Sequence, residues 1–221
     1  LWSPVAPAAR HPQAAALVGV PVVEPLDQLT EALAGQRPYA ARALFIDAAN
    51  PVYTAGEAFR AGLANLDLVV SFSPTMDETA AMADLVLPDH TPLERWEDSP
   101  TPPGVNFASF GIRRPVIDPI HGTRHTGDVI LGLARALGAP VRDAFPWTDF
   151  RAVLADSVAG LFASRRGYVM GSRLDESWHR LLERAGWWSP SYSSAQELHQ
   201  QMEAKGGWWD PFYYYGQWDR V

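Results

Sequence analysis

The stretch LDLVVSFSPTMDETAAMADLVLP, residues 66–88, most narrows the folds open to this chain. Leu68–Val70 and Leu85–Leu87 are continuous apolar runs without the alternation of a half-exposed strand, so both read as strands buried on two faces. Between them Thr75-Met-Asp-Glu78 has the spacing of a capping box, which opens a short helix reaching Ala83. Pro88, which cannot donate to a sheet ladder, stops the second strand. Strand, helix and strand in this order form a βαβ unit, and such units build parallel sheets.

The sequence upstream repeats the scheme. Val20–Val23 reads as a short strand, followed by a helix with Leu26, Leu29 and Leu33 on one face and Gly35 at its end. Ala43–Ile46 is a further apolar run expected to be buried on both faces, ended by a turn at Asn50-Pro51. Thr54-Ala-Gly-Glu57 is a second capping box, with Phe59, Leu63 and Leu66 continuing at helical period.

Downstream, residues 89–122 read as a long irregular tract with six prolines between Pro92 and Pro119, the kind of loop that is functional or packs on another domain. A helix over Asp128–Leu137 is expected to turn Ile130, Leu133 and Leu137 inward, with Gly138 at its end. Beyond Pro140 the character changes to three amphipathic helices, Phe150–Phe162, Leu174–Ala185 and Ala195–Ala204, interleaved with Gly186-Trp-Trp188 and Gly206-Gly-Trp-Trp209 turns and a Tyr213–Tyr215 run. Residues 1–140 therefore read as an α/β domain. Residues 141–221 read as a helical, aromatic-rich extension that packs on a remainder outside this chain. The opening at Leu1 and the uncapped close at Val221 fit a piece of a longer protein.

Composition removes several function classes. The 18 Lys and Arg against 25 Asp and Glu give a net charge of −7 with no basic cluster, which argues against nucleic acid as a partner. With no cysteine, no disulfide, thiolate zinc site or cysteine-ligated iron–sulfur cluster lies within these 221 residues. No apolar run approaches the length of a membrane span. Glycine-rich dinucleotide and P-loop fingerprints are absent, as is Gly-x-Ser-x-Gly, which speaks against NAD, ATP and a serine hydrolase.

Two features could bind. Both capping-box helices start at the carboxyl end of a parallel strand, where free N–H groups and the helix dipole attract phosphate. That nominates Ala49, Asn50, Tyr53 and Thr54 on one loop with Ser71, Phe72, Ser73 and Thr75 on the next, unless the boxes do no more than cap their helices. Asp89, His90, Glu94, Glu97 and Asp98 form an acidic group with one imidazole. Carboxylates and histidine can ligate a cation, but pairing with Arg95 is the stronger reading. His121 and His125 stand four apart across Gly122 in a loop context, a poor metal face. No residue is nominated as catalytic or as a metal ligand.

The segment DLVVSFSPTMDETAAMADLVLPDHTPLERW resembles the third domain of the molybdopterin oxidoreductase superfamily, which includes dimethyl sulfoxide reductase. The resemblance rests on Glu78-Thr-Ala80, Ala83-Asp84, Val86-Leu-Pro88 and Leu93-Glu-Arg95, with Asn50-Pro51 upstream and Pro115–Pro119, Thr123-Arg124 and Gly127-Asp128 downstream. It covers residues 40–140 and implies an α/β fold with a parallel Rossmann-like sheet and flanking helices. It also implies that the Asn50-Pro51 and Ser71–Thr75 loops face one half of a bis(molybdopterin guanine dinucleotide) cofactor. Family members commonly place an aspartate where Ser73 stands here, so the carboxylate that would pair with guanine is missing. The wording SFS, MDETA, LPDHTPLERWED and TGDVILGLA is similar to the large subunit of alternative complex III, a branch that keeps the fold without the molybdenum cofactor. That branch implies a subunit on the periplasmic or outward face of a membrane complex. Its partners would be the rest of its own subunit, iron–sulfur and cytochrome c subunits and a quinone-binding membrane subunit, with the iron–sulfur clusters elsewhere. The alternative branch is the polysulfide and thiosulfate reductases, which would bind molybdopterin guanine dinucleotide.

Overall fold

The computed structural model of the protein describes residues 26–36, 40–102, 108–169, 181, 184 and 192–210. The strand expected at 20–23, all but Leu181 and Arg184 of the helix expected at 174–185, Trp187, Trp188 and the Tyr213–Tyr215 run lie outside the described residues. The architecture is mixed α/β, with a three-stranded parallel sheet flanked by helices and a four-stranded antiparallel sheet.

The parallel sheet is made by β1 (Ala43–Ile46), β2 (Leu68–Ser71) and β3 (Leu85–Val86) in the order β1-β2-β3. Register pairs Phe45 with Val70 and Val70 with Leu85. One face carries Ile46 and Val69, buried by α1 (Leu26–Gly35) and α2 (Pro51–Leu63) through Leu33, Val52, Phe59 and Leu63. The expectation that β1 is buried on both faces is corrected here: Phe45 is 43% exposed. Among the described residues it lies on an edge strand, and both helices pack on the opposite face.

The two capping boxes do not form as expected. Helix α2 starts earlier, at Pro51, because Asn50 is the cap and its Oδ1 accepts the Tyr53 N–H. Proline suits this first position, where its fixed φ fits the helix and its missing N–H costs nothing. Gly56 then breaks the helix with φ +64°, a left-handed conformation open to glycine. Between β2 and β3 there is only one 3₁₀ turn, Ala80–Met82. Asp77 holds it by accepting the Ala80 N–H at 2.7 Å, while Thr75 bonds back to Ser73 instead of forward to Glu78. The βαβ connectivity stands, with a turn in place of the helix.

The tract at 89–122 is not all loop. It holds β4 (Glu97–Pro100) and β5 (Ala108–Arg113), an antiparallel pair. β6 (Tyr168–Val169) and β7 (Trp208–Asp210) complete the second sheet in the order β4-β5-β7-β6. The Gly206-Gly-Trp-Trp segment is thus the entry to a strand rather than a turn. Trp208 is 2% exposed and sits in a core with Ile112 of β5 and with Leu154, Val158 and Leu161 of α5 (Phe150–Ala163). Leu198 and Met202 of α6 (Ala195–Lys205) close that core. Helix α3 (Thr126–Leu137) begins two residues before its expected start and buries Leu131 and Ala134, whereas Leu133 and Leu137 are exposed. Its apolar stripe is wide enough that periodicity alone does not fix which edge faces inward. The short helix α4 (Val141–Ala144) links α3 to α5.

Candidate functional site

The carboxyl ends of β1 and β2 deliver two loops to the same place. The Asn50 Nδ2 donates to Glu78 Oε2 at 2.6 Å, and the Thr79 hydroxyl donates to Asn50 Oδ1 at 2.7 Å. Thr79 is fully buried, and its oxygen also accepts the Val52 N–H at 3.0 Å. A clasp of Asn50, Glu78 and Thr79 therefore ties the start of α2 to the β2–β3 crossover. The Asn50 contact, first among its causes, holds the Glu78 carboxyl below its ordinary range.

The nominated residues divide by environment. Pro51, Ser71 and Phe72 are buried, with Phe72 stacked on Phe45 at 6.3 Å between centroids. Ala49, Tyr53, Thr54 and Thr75 are exposed, whereas Asn50 and Ser73 are half-buried. The loops bring Asn50 to Glu78 and Ser73 to Thr75 and Asp77; Ser73 Oγ donates to Asp77 Oδ2 at 2.9 Å. Asp77, Glu78 and Thr79 were not nominated from sequence as binding-loop residues. Their signal was the clustering of Asp, Glu and Thr next to the buried Ala80, which the capping-box spacing masked.

These loops offer little to a phosphate. Pro51 has no N–H. The Val52 N–H is taken by Thr79 Oγ1, the Tyr53 N–H by Asn50 Oδ1 at 3.4 Å and the Thr54 N–H by the Asn50 carbonyl at 3.2 Å. On the second loop the Phe72, Ser73, Thr75 and Asp77 amides bond to Ile46 O, Ser71 Oγ, Ser73 Oγ and Thr75 O. The donors that make a helix N-terminus an anion site are thus spent inside the chain, and Asp77 and Glu78 add negative charge. A guanine would meet a Ser73 hydroxyl already committed to Asp77. Few of the backbone donors traced on these two loops remain for a dinucleotide phosphate.

The acidic group after β3 is a structural network. Asp89, 2% exposed, accepts Arg95 on Oδ2 and the His90 and Thr126 amides on Oδ1. Arg95 also donates to Glu97 Oε1 at 2.8 Å, and Arg113 pairs with the other Glu97 oxygen. Glu94 accepts the Ile120 N–H and the Thr91 N–H and hydroxyl, each at 2.8 Å; these bonds, the Ile120 amide first, pull its carboxyl down to about 2. His125 caps α3 by accepting the Gly127 N–H on Nδ1, which leaves Nε2 to donate to the Trp96 carbonyl at 2.9 Å and assigns the neutral tautomer. His121 is exposed in the preceding bend. Among the described residues no group of three or more His, Asp and Glu side chains is arranged to hold a metal ion. A cleft of about 340 Å³ lies beside the network, with Trp96, His125, Phe150 and Arg151 in its wall and the Arg151 guanidinium over the Trp96 ring at 4.6 Å. Among the described residues no helix is long and apolar enough to cross a membrane.

Comparison with known proteins places these loops in a wider setting. The menaquinone reductase molybdopterin-binding-like subunit of Nitratidesulfovibrio vulgaris is 37% identical over 109 residues, which are 48% of this chain and 16% of that protein. The thiosulfate reductase molybdopterin-containing subunit of Salmonella typhimurium is 33% identical over 120 residues, 52% of this chain and 15% of that protein. The structure of acetylene hydratase from Pelobacter acetylenicus superimposes with a TM-score of 0.53 at 30% identity, covering 62% of this chain and 18% of its own. The chain thus spans about one-sixth of the length of the curated relatives it matches. The molybdopterin oxidoreductase family model matches residues 11–133, more than half of the sequence. The chain belongs to the molybdopterin oxidoreductase family.

Proposed function

We propose that this chain is part of the molybdopterin-oxidoreductase-like subunit of a membrane-bound, quinone-linked electron-transfer complex, where it serves as a scaffold and performs no chemistry of its own. One observation carries the reading. The Val52, Tyr53 and Thr54 amides in the first turn of α2 and the Ser73, Thr75 and Asp77 amides of the crossover loop are already bonded within the chain, and the Asp77 and Glu78 carboxylates stand beside them. The relative named as a molybdopterin-binding-like subunit of menaquinone reductase supports the quinone link.

In this reading Asn50, Pro51, Thr54, Ser71, Phe72, Ser73 and Thr75 are the remains of a nucleotide-facing rim, now closed by the clasp. The partners are the rest of the subunit, iron–sulfur and cytochrome c subunits that carry the clusters and haem, and a quinone-binding membrane subunit. The subunit sits peripherally on the periplasmic or outward face. A second reading draws on the thiosulfate reductase relative and makes the protein part of a catalytic molybdoenzyme.

Metal and nucleotide analysis of the full subunit in its complex decides between them. The scaffold reading expects neither molybdenum nor tungsten and no guanine after acid hydrolysis. A stoichiometric metal with about two guanines per subunit, as a bis(dinucleotide) cofactor would supply, overturns it.

A further inference from the structure

Two loops that take no part in the clasp build an apolar platform on the surface. The segment after β3 presents Leu93 at 56% exposure, and the segment after β5 presents Val116 at 76%, Ile117 at 39% and Ile120 at 71%. The loops are knitted together: the Leu93 carbonyl accepts the Val116 and Ile117 amides at 2.7 and 3.2 Å, and Glu94 Oε1 accepts the Ile120 amide at 2.8 Å. None of the four aliphatic side chains belongs to either hydrophobic cluster. Single exposed aliphatics are ordinary on a protein surface; four held together by a hydrogen-bonded framework mark a covered face. The framework also removes the ordering cost that a flexible loop would add on docking.

We propose that this platform seats another segment of the same polypeptide, one that carries aliphatic or aromatic side chains flanked by carboxylates. Size argues for the same chain. Four side chains fall well short of the roughly 800 Å² per partner that a stable interface between separate chains buries. A segment on the same polypeptide needs less area, because attachment supplies its effective concentration. The relatives are about six times longer than the stretch they share with this chain, so the subunit has ample sequence to supply the occupant. Charge argues for the flanking acids. Arg114 and Arg124 border the platform in sequence, both are exposed, and among the described residues neither pairs with a carboxylate.

The test is hydroxyl-radical footprinting of the full-length wild-type subunit, alone and within its complex, read by mass spectrometry at Leu93 and Ile120 against the same subunit in denaturant. The expected result is at least tenfold slower oxidation at both positions in the isolated folded subunit. Oxidation there as fast as in denaturant overturns the proposal. So does protection that appears only when partner subunits or phospholipid vesicles are added, which would hand the platform to another chain or to a bilayer. Labelling of Leu93→Cys and Ile120→Cys with a water-soluble maleimide gives an independent reading, expected to show the same protection in the isolated subunit. The outcome does not depend on whether the complex contains molybdenum.

Discussion

Glu94 accepts hydrogen bonds from the Ile120 amide and from the amide and hydroxyl of Thr91, and those donors hold its carboxyl at about 2. The unfolded chain would titrate it near 4.3. Because the folded value is the lower one, the stabilisation is complete above the unfolded value and is lost as pH falls toward 2. Glu94→Gln should lower the melting temperature of the subunit at neutral pH and flatten its fall between about pH 4.5 and 2; identical slopes for the two proteins would refute this role. Asn50 is the counterpart in the clasp. Asn50→Ala removes the cap on the Tyr53 amide and the partners of Thr79 and Glu78, at a cost of about 1–2 kcal/mol. The Glu78 carboxyl should then rise toward its ordinary range, which a carbon-13 titration of that residue would register. An unmoved Glu78 would mean that its hydrogen bond to Asn50 is not what holds it down.

At the scale of elements, the apolar runs gave away β1, β2 and β3, although their continuity overstated the burial, since Phe45 and Leu85 are exposed. β4 could not be read this way: Glu97-Asp-Ser-Pro100 has no apolar period and ends in a proline, and it is a strand only because β5 pairs with it. β7 was hidden by its glycines and tryptophans, which look like a turn until Trp208 finds the core of α5 and α6. The site loops were legible from their turn chemistry, but the clasp was not, since Asn50 and Thr79 stand 29 residues apart. Packing around β7 makes a sharp prediction. Gly167 has φ +65°, and a Cβ there would lie 2.4 Å from the Trp208 indole and 2.5 Å from the Trp209 carbonyl. Gly167→Ala should therefore cost more than about 2 kcal/mol, through strain and overpacking together. A urea midpoint within experimental error of wild type would show that the β6–β7 pair yields without penalty.

Across the whole molecule, a chain of ion pairs links the end of the parallel sheet to the antiparallel one. Asp89 follows β3, Glu97 opens β4 and Arg113 ends β5, while Arg95 bridges the first two. Asp89 is almost wholly buried, so its charge depends on Arg95 for compensation. Removing one member of such a pair costs far more than the intact pair contributes, because the other charge is left in a poor solvent. Arg95→Met should cost about 3–5 kcal/mol. Asp89→Asn together with Arg95→Met should cost less than the sum of the single changes, by about 0.5–3 kcal/mol. The reason lies in the asymmetry: the second change removes the charge that the first one stranded, while the His90 and Thr126 amides keep a carbonyl acceptor. Urea unfolding of the four proteins measures the coupling directly. Additivity within about 0.5 kcal/mol would show that the two sheets are joined by packing alone and that the ion pairs are incidental to it.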